Sequence, residues 1–388
     1  MKDVGIYIHI PFCKQKCYYC DFVSYSDKSQ MIEEYIKWLN VEIEEVGKGI
    51  KLDFENRIND MVKVKTIYIG GGTPSYIDSK HIVTIMDTIN KNYIIDENAE
   101  ITIELNPGTV TKEKLVDYKN AGINRISIGL QETNNYHLKT IGRIHTYEEF
   151  LKTYKLVLEM GFKNINADLM IGLPNQTMDD IKNSLEKLIK LDLKHISVYS
   201  LILEENTKLE KLVNEKKLKL PDEEIERKMY WFIKNKLEKA GFIHYEISNY
   251  AKKGYESKHN LDCWNQKEYM GFGVNAHSYT DNTRFSNIDN IETYINNFKN
   301  GKDIDNLIFH EKQNKESKMK EYMLLNLRKI DGVSICEFKN KFIENPIFIY
   351  KDEINKLVKN KLLEIDGNNI RLTNKGIDLA NLVWEEFV

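Results

Sequence analysis

Three cysteines, Cys13, Cys17 and Cys20, stand in a C-x3-C-x2-C run within Tyr7-Ile8-His9-Ile10-Pro11-Phe12-Cys13-Lys14-Gln15-Lys16-Cys17-Tyr18-Tyr19-Cys20-Asp21-Phe22. Thiolate is a soft ligand, and cysteine sulfur is the usual holder of iron–sulfur clusters. A cubic cluster of about four irons has as many corners, so three local thiolates leave one iron open to a small molecule. Two alternatives stand beside this reading. Structural zinc closes a tetrahedron, usually from two separated pairs of ligands. No second pair follows here, and His9 is the nearest fourth ligand. A disulfide leaves an odd thiol, and no signal segment points to an oxidising compartment.

Other residues suited to binding lie further on. Gly70-Gly71-Gly72-Thr73-Pro74-Ser75 is a glycine run. Glycine lets backbone approach a ligand closely, although a plain tight turn needs the same residues. Glu104 ends an otherwise apolar run, where a carboxylate suits a ribose or an ammonium group; a strand-end salt bridge is the plain alternative. Gln131 follows the next apolar run and can hydrogen-bond a ligand. Arg143, in Ile141-Gly142-Arg143-Ile144-His145, offers a fork that matches a carboxylate. Asp168 sits among apolar neighbours, where a charge calls for a partner or a ligand.

These residues must be positioned by regular elements. Pro11 disfavours helix at Ile10, so the cysteines follow a strand, Val4–Ile10, and lie on a loop. Met31, Ile32, Tyr35, Ile36, Leu39 and Ile43 form a helical stripe. Strands are expected at Thr66–Ile69, Ile101–Leu105, Arg125–Leu130, Asn164–Leu173 and His195–Leu203. Helices alternate with them, opened by Thr111, by the capping box Thr146-Tyr147-Glu148-Glu149 and by Thr177-Met178-Asp179-Asp180. Strands alternating with helices predict an α/β fold with a parallel sheet, and six units predict an open, partial (β/α)6 barrel. In such folds chemistry gathers at the strand C-terminal ends. The cysteine loop, the glycine run and Glu104 all fall there.

From about Pro221 the pattern changes. Asp222 is placed to cap a helix with Ile225, Met229, Ile233 and Leu237 on one face, and a loop-rich stretch runs from His244 to Ser278. From about residue 310, helices near Glu316–Leu327 and Tyr350–Lys359, two short strands about Asp366-Gly367-Asn368 and a last helix from Thr373 predict a small winged-helix-like module. Three domains are expected: residues 1–220, an α+β extension over 221–309, and a C-terminal module over 310–388. The 388 residues suit such a division, and 41% hydrophobic with 30% charged residues is an ordinary globular balance. A net charge of −3 argues against broad nucleic-acid binding. No apolar run approaches transmembrane length and no secretory segment is evident, so a reduced, cytoplasmic setting is expected.

The cysteine spacing resembles that of the radical S-adenosylmethionine (SAM) superfamily. Tyr7, His9-Ile10-Pro11-Phe12 and Cys20-Asp21-Phe22 resemble the family of oxygen-independent coproporphyrinogen oxidases and HemW-type heme chaperones, along nearly the whole chain. The resemblance implies a radical-SAM barrel in which Cys13, Cys17 and Cys20 hold a [4Fe-4S] cluster. It also implies a SAM site of Tyr7, Tyr19, Gly71, Gly72, Thr73, Glu104, Gln131, Arg143 and Asp168, with Ile202 on the adenine side. Gly71, Gly72 and Thr73 would receive the methionine amino group.

Three features favour the chaperone branch. The oxidases continue the motif to a fourth cysteine where this chain has Phe22. They carry an extension before the motif, whereas Cys13 comes almost at once. The chaperones carry H-N-x-x-Y-W and then a glycine-rich aromatic stretch. Here His259-Asn260-Leu261-Asp262-Cys263-Trp264 and Tyr269-Met270-Gly271-Phe272-Gly273-Val274-Asn275-Ala276-His277-Ser278 match, with Cys263 in place of the tyrosine. Imidazole and thiolate both ligate heme iron, and aromatic neighbours suit a porphyrin face.

His259, Asn260, Cys263 and Trp264 are therefore expected heme residues, with His277 and His244 as lesser ones; a plain loop hydrogen bond is the alternative for His259. The implied function is heme binding and transfer to an acceptor protein. An electron donor such as a flavodoxin or a ferredoxin, and peripheral membrane contact through the acceptor, complete the expected partners. Oxidative decarboxylation of coproporphyrinogen III is the second reading, and a zinc-stabilised binding protein the third.

Overall fold

A computed structural model of the protein describes residues 1–49 and 62–388. Six strands, β1 (Lys2–Ile10), β2 (Val62–Gly71), β3 (Ile94–Leu105), β4 (Arg125–Gln131), β5 (Asn164–Ile171) and β6 (His195–Ser200), lie side by side in chain order and pair in parallel. Their period-two pattern has two distinct faces. Val4, Ile6, Ile8 and Ile10, with Ile67, Ile69, Ile103, Ile126, Ile165 and Ile196, are buried in one cluster with Tyr35, Leu39, Ile82, Ile85 and Leu185 from the intervening helices. The opposite face is polar. Glu104 pairs in register with Ser127, Ser127 with Asn166, and Asn166 with His195. The outer face builds the core, and the inner face is left to carry chemistry.

Thr111, Thr146 and Thr177 cap their helices through their side chains, the last two in full capping boxes. Asp222 occupies the cap position of the helix Glu223–Lys239 but makes no side-chain cap bond. β2 and β3 begin earlier than their apolar runs suggest. The added lengths are joined by Lys63 and Lys65 to Asp96 at 2.7 Å.

The stretch after residue 240 differs most from expectation. It holds β7 (Ile243–Glu246), β8 (Asn249–Ala251), a helix Lys258–Trp264, β9 (Tyr269–Phe272), β10 (His277–Thr280), β11 (Thr283–Asn287) and β12 (Leu307–Lys312). β8 and β7 extend the sheet beyond β6. β9 pairs in parallel with β1, and β10, β11 and β12 continue outward, giving one sheet of 12 strands among the described residues. Residues 221–309 thus share their sheet with residues 1–220, and the boundary expected at 309 falls inside β12. The added edge is tied to the first helix, Ile32–Gly47. Tyr35 Oη donates to the His9 carbonyl at 2.8 Å, and Glu42 accepts from Gly273 N–H at 2.8 Å and from Tyr294 Oη at 2.6 Å.

The C-terminal region combines helices with a small sheet of β13 (Val333–Ser334), β14 (Leu363–Asp366) and β15 (Asn369–Leu372), in the order β13-β15-β14. It meets the rest through Arg328, whose guanidinium lies 4.6 Å from the Trp264 ring and 4.7 Å from the Trp384 ring. Among the described residues no helix is long and apolar enough to cross a membrane.

Candidate functional site

The cysteine loop leaves β1 at its C-terminal end and is held on both sides. Tyr25 N–H donates to the Pro11 carbonyl and Cys13 N–H to the Tyr25 carbonyl, at 2.7 and 2.9 Å. The glycine run at the end of β2 lies along the same loop. Gly72 N–H donates to the Ile10 carbonyl at 2.9 Å and Thr73 N–H to the Phe12 carbonyl at 2.8 Å. Thr73 Oγ1 lies 3.5 Å from Cys13 Sγ. A Cβ at position 72 would stand 2.9 Å from both Cys13 Sγ and the Phe12 carbonyl oxygen. Gly72→Ala should therefore push the cysteine loop off its seat. Overpacking of this kind costs ~1–3 kcal/mol. A lower melting temperature together with reduced iron after anaerobic reconstitution is the expected result, and unchanged iron loading would show that the loop does not need this contact.

Arg143 reaches the cysteines from the far side of the cleft. Its Nη1 donates to Cys17 Sγ at 3.6 Å, and its Nη2 donates to Asn106 Oδ1 at 2.7 Å and to the Gly129 carbonyl at 2.6 Å. Its Nε is buried with no hydrogen-bond partner. A guanidinium fixed at one end with a spare N–H fits a carboxylate. The cleft here is lined by Cys17, Thr73, Asn106 and Arg143 among others.

Glu104 lies on the inner face beside the glycine run. Tyr68 Oη donates to its Oε1 at 2.8 Å and Gly71 N–H to its Oε2 at 3.3 Å. Among the described residues it has no ion pair, and burial pushes its carboxyl up to about 7. A buried acid without a cation beside it suits a cationic or hydroxyl-bearing ligand. Asp168 accepts from Asn166 Nδ2 at 2.8 Å, and burial raises its carboxyl as well. Gln131 ends β4 with φ at +70°, next to a break in the β4–β5 register. A left-handed glutamine at a bulge is a strained placement that re-aims a side chain, as bulges beside active sites do.

Tyr7 and His9 share the inner face. Val23 O accepts from His9 Nε2 at 2.9 Å, which leaves His9 Nδ1 to accept from Tyr7 Oη at 3.0 Å. Both ring nitrogens are used, and burial holds the ring neutral with its pKa near 4. His9 is therefore not the fourth ligand that the zinc alternative needs. Tyr19 packs against the cluster of Ile141, Met170 and Leu201, and Ile202 is 68% exposed at the rim.

The helix Lys258–Trp264 brings His259 beneath the sheet. His259 is 7% exposed, its Nδ1 lies 2.9 Å from Thr66 Oγ1, and its ring stacks on Tyr68 at 5.4 Å. Asn260 N–H is capped by Ser257 Oγ at 3.4 Å. Burial pushes the Cys263 thiol up to about 12, and the Trp264 indole N–H is buried without a hydrogen-bond partner. An orphaned indole donor fits an acidic edge on a ligand.

Two residues that reading of the sequence missed connect these parts. Tyr68 stacks on Tyr7 at 6.3 Å and on His259, and it donates to Glu104. Asn106 bridges Arg143 to Thr73, donating to Thr73 Oγ1 at 2.8 Å. Asn106 stands one residue beyond β3, two after Glu104, a signal that the Asn-Pro-Gly turn concealed. Burial raises the thiols of Cys13 and Cys20, the latter to about 11. Free thiols of that kind are poor nucleophiles near neutrality.

Comparison with known proteins agrees with this geometry. The family model of the radical SAM superfamily matches residues 7–188, and that of the HemN C-terminal domain matches residues 313–379. The heme chaperone HemW of Lactococcus lactis is 37% identical over 387 residues, covering 100% of this chain and 98% of the relative. That of Bacillus subtilis is 37% identical over 384 residues, covering 98% of each. The solved structure of coproporphyrinogen III oxidase (HemN) from Escherichia coli superposes with a TM-score of 0.84 at 20% identity, over 100% of this chain and 90% of that one, which establishes a shared fold. A cysteine loop seated on a glycine run, with full-length likeness to these relatives, means that the chain belongs to the radical SAM superfamily, in the family of the HemW-type heme chaperones.

Proposed function

We propose that the protein is a heme chaperone that binds heme and a SAM-coordinated [4Fe-4S] cluster and passes the heme to an acceptor protein. Cys13, Cys17 and Cys20 hold the cluster. Arg143 takes the carboxylate of SAM, and Gly71, Gly72 and Thr73 take its amino group. Glu104, Gln131 and Asp168 hydrogen-bond the ribose and ammonium groups, while Tyr7, Tyr19 and Ile202 enclose the remainder. Bound there, the cluster and SAM supply one-electron chemistry at a sulfonium.

The residues of this chain orient that pair and keep water from it. The six parallel strands curve as a partial barrel around the inner face, and residues 310–388 pack as a winged-helix-like module against the segment 259–264. Heme lies against that segment, with Trp264 offering its indole N–H to a propionate. A cytoplasmic setting, a one-electron donor such as a flavodoxin or a ferredoxin, and an acceptor reached at a membrane surface complete the reading.

The observation that carries it is the stack of Tyr7, Tyr68 and His259 with Glu104 hydrogen-bonded at its centre. One aromatic column joins the SAM side to the segment shared with the chaperones. Titration of anaerobically reconstituted protein with heme should shift the Soret band at stoichiometric amounts. The same sample given coproporphyrinogen III, SAM and reductant should form no protoporphyrinogen. Rapid turnover without heme binding would replace this reading with the oxidase.

A further inference from the structure

The chain has nine histidines. Eight of them have a ring nitrogen already engaged. His9 contacts Tyr7 and Val23; His195 contacts Asn166 and Tyr245; His259 contacts Thr66. His81 pairs with Glu33, His137 with Pro174 and Asp180, His145 with Leu130, and His244 with Ile247. His310 Nε2 lies 2.8 Å from Ser286 Oγ. His277 is the exception. Its side chain is exposed, and among the described residues its ring makes no hydrogen bond or ion pair.

Its position is set by the sheet. His277 begins β10, in register with Ser286 of β11 and on the same face. The His310 ring from β12 lies parallel to it, with centroids 5.8 Å apart and planes 7° from coplanar. Two strands inward, Tyr7 pairs in register with Gly271. A Cβ at Gly271 would meet the His277 carbonyl oxygen at 2.1 Å, so a glycine there lets His277 come this close to the rim. His277 is also near enough to His9 to act on its protonation, behind burial and the Val23 hydrogen bond, and His9 is tied to the loop that follows Cys20.

An iron ligand from the protein needs a neutral imidazole with a free nitrogen and room for a macrocycle in front of it. His259, buried and bound to Thr66, lacks the room. His277 is exposed and has a free ring nitrogen, and His310, anchored by Ser286, lies parallel to its ring. Resting on the heme-chaperone reading above, we propose that His277 is the protein ligand to heme iron, with His310 as its positioning residue.

Heme titration of the parent protein and of His277→Ala, His277→Cys, His310→Ala and His259→Ala, followed by absorption and magnetic circular dichroism, tests this. Loss of the ligand should weaken heme binding on the order of 10- to 100-fold. His277→Cys should bind heme with a thiolate-type spectrum. That signature requires iron contact, and a merely structural role does not produce it. His310→Ala should bind more weakly without a change of ligand signature, and His259→Ala should keep the parent spectrum. If the parent binds heme and both His277 variants keep its spectrum and affinity, the inference is overturned while the chaperone reading stands. If the parent itself does not bind heme, the reading falls and the inference falls with it.

Discussion

Replacing any one of Cys13, Cys17 and Cys20 by alanine is expected to bring iron after anaerobic reconstitution from about four per chain to near none. The three sulfurs come from one loop, and the start of that loop, from Ile10 to Cys13, is held by Tyr25 on one side and by Gly72 and Thr73 on the other. With one ligand gone, two thiolates remain for a cluster that also leaves one corner to a small molecule, so the remaining bonds do not retain it. The protein should stay folded, because the core is built from the apolar face of β1 to β6 and its helices, which the cysteine loop only borders. Iron content and the brown absorption check the first half, and circular dichroism checks the second. A Cys17→Ala variant that retained full iron would show that the sulfur beside Arg143 is not a ligand.

The second large effect is expected at Arg143. Its Nη2 is committed to Asn106 and Gly129 and its Nη1 to Cys17, leaving Nε as the unused donor in the cleft. Arg143→Met should lower SAM affinity ~10- to 100-fold, since a hydrogen bond to a charged group contributes ~1.5–3 kcal/mol. Arg143→Lys keeps a positive charge but loses the Nε donor and the Asn106 and Gly129 bonds that fix it, so it should recover only part of the affinity. Binding of SAM measured by calorimetry on cluster-loaded protein separates these outcomes. Equal affinity in Lys and parent would mean that charge alone, and not the placed Nε donor, is recognised.

How much of this was legible in the sequence depends on how local each signal is. The cysteine run, the glycine run and Arg143 are contiguous motifs whose residue types announce their chemistry, and the structure brings them to one cleft. The capping threonines were equally legible, because a cap is made within four residues. What was hidden is long-range. β7 to β11 are three to five residues long. Strands that short carry too little alternation to separate from turns, so the stretch 244–278 looked loop-rich. That β9 pairs with β1 is set by tertiary packing, through Tyr35 and Glu42 of the first helix, and no local pattern encodes it.

The polar inner face was hidden for a related reason. Asp168 looked isolated because its chain neighbours are apolar, yet across the sheet it is level with Ser197 and beside Asn166. Gln131 reads as an ordinary hydrogen-bonding side chain, and only its backbone, at φ +70°, reveals a strained placement. His259 drew attention through its motif, whereas His277 is distinguished by an exposed ring without a partner, a property that only the folded chain has.

An iron–sulfur centre with a corner open to SAM is what the proposed function requires. Electron paramagnetic resonance of the reduced, reconstituted protein, recorded before and after SAM is added, tests this most directly. The predicted result is a cluster signal that changes when SAM is added to the parent and changes far less in Arg143→Met. A parent signal indifferent to saturating SAM, or a protein that takes up zinc and no iron, would contradict it.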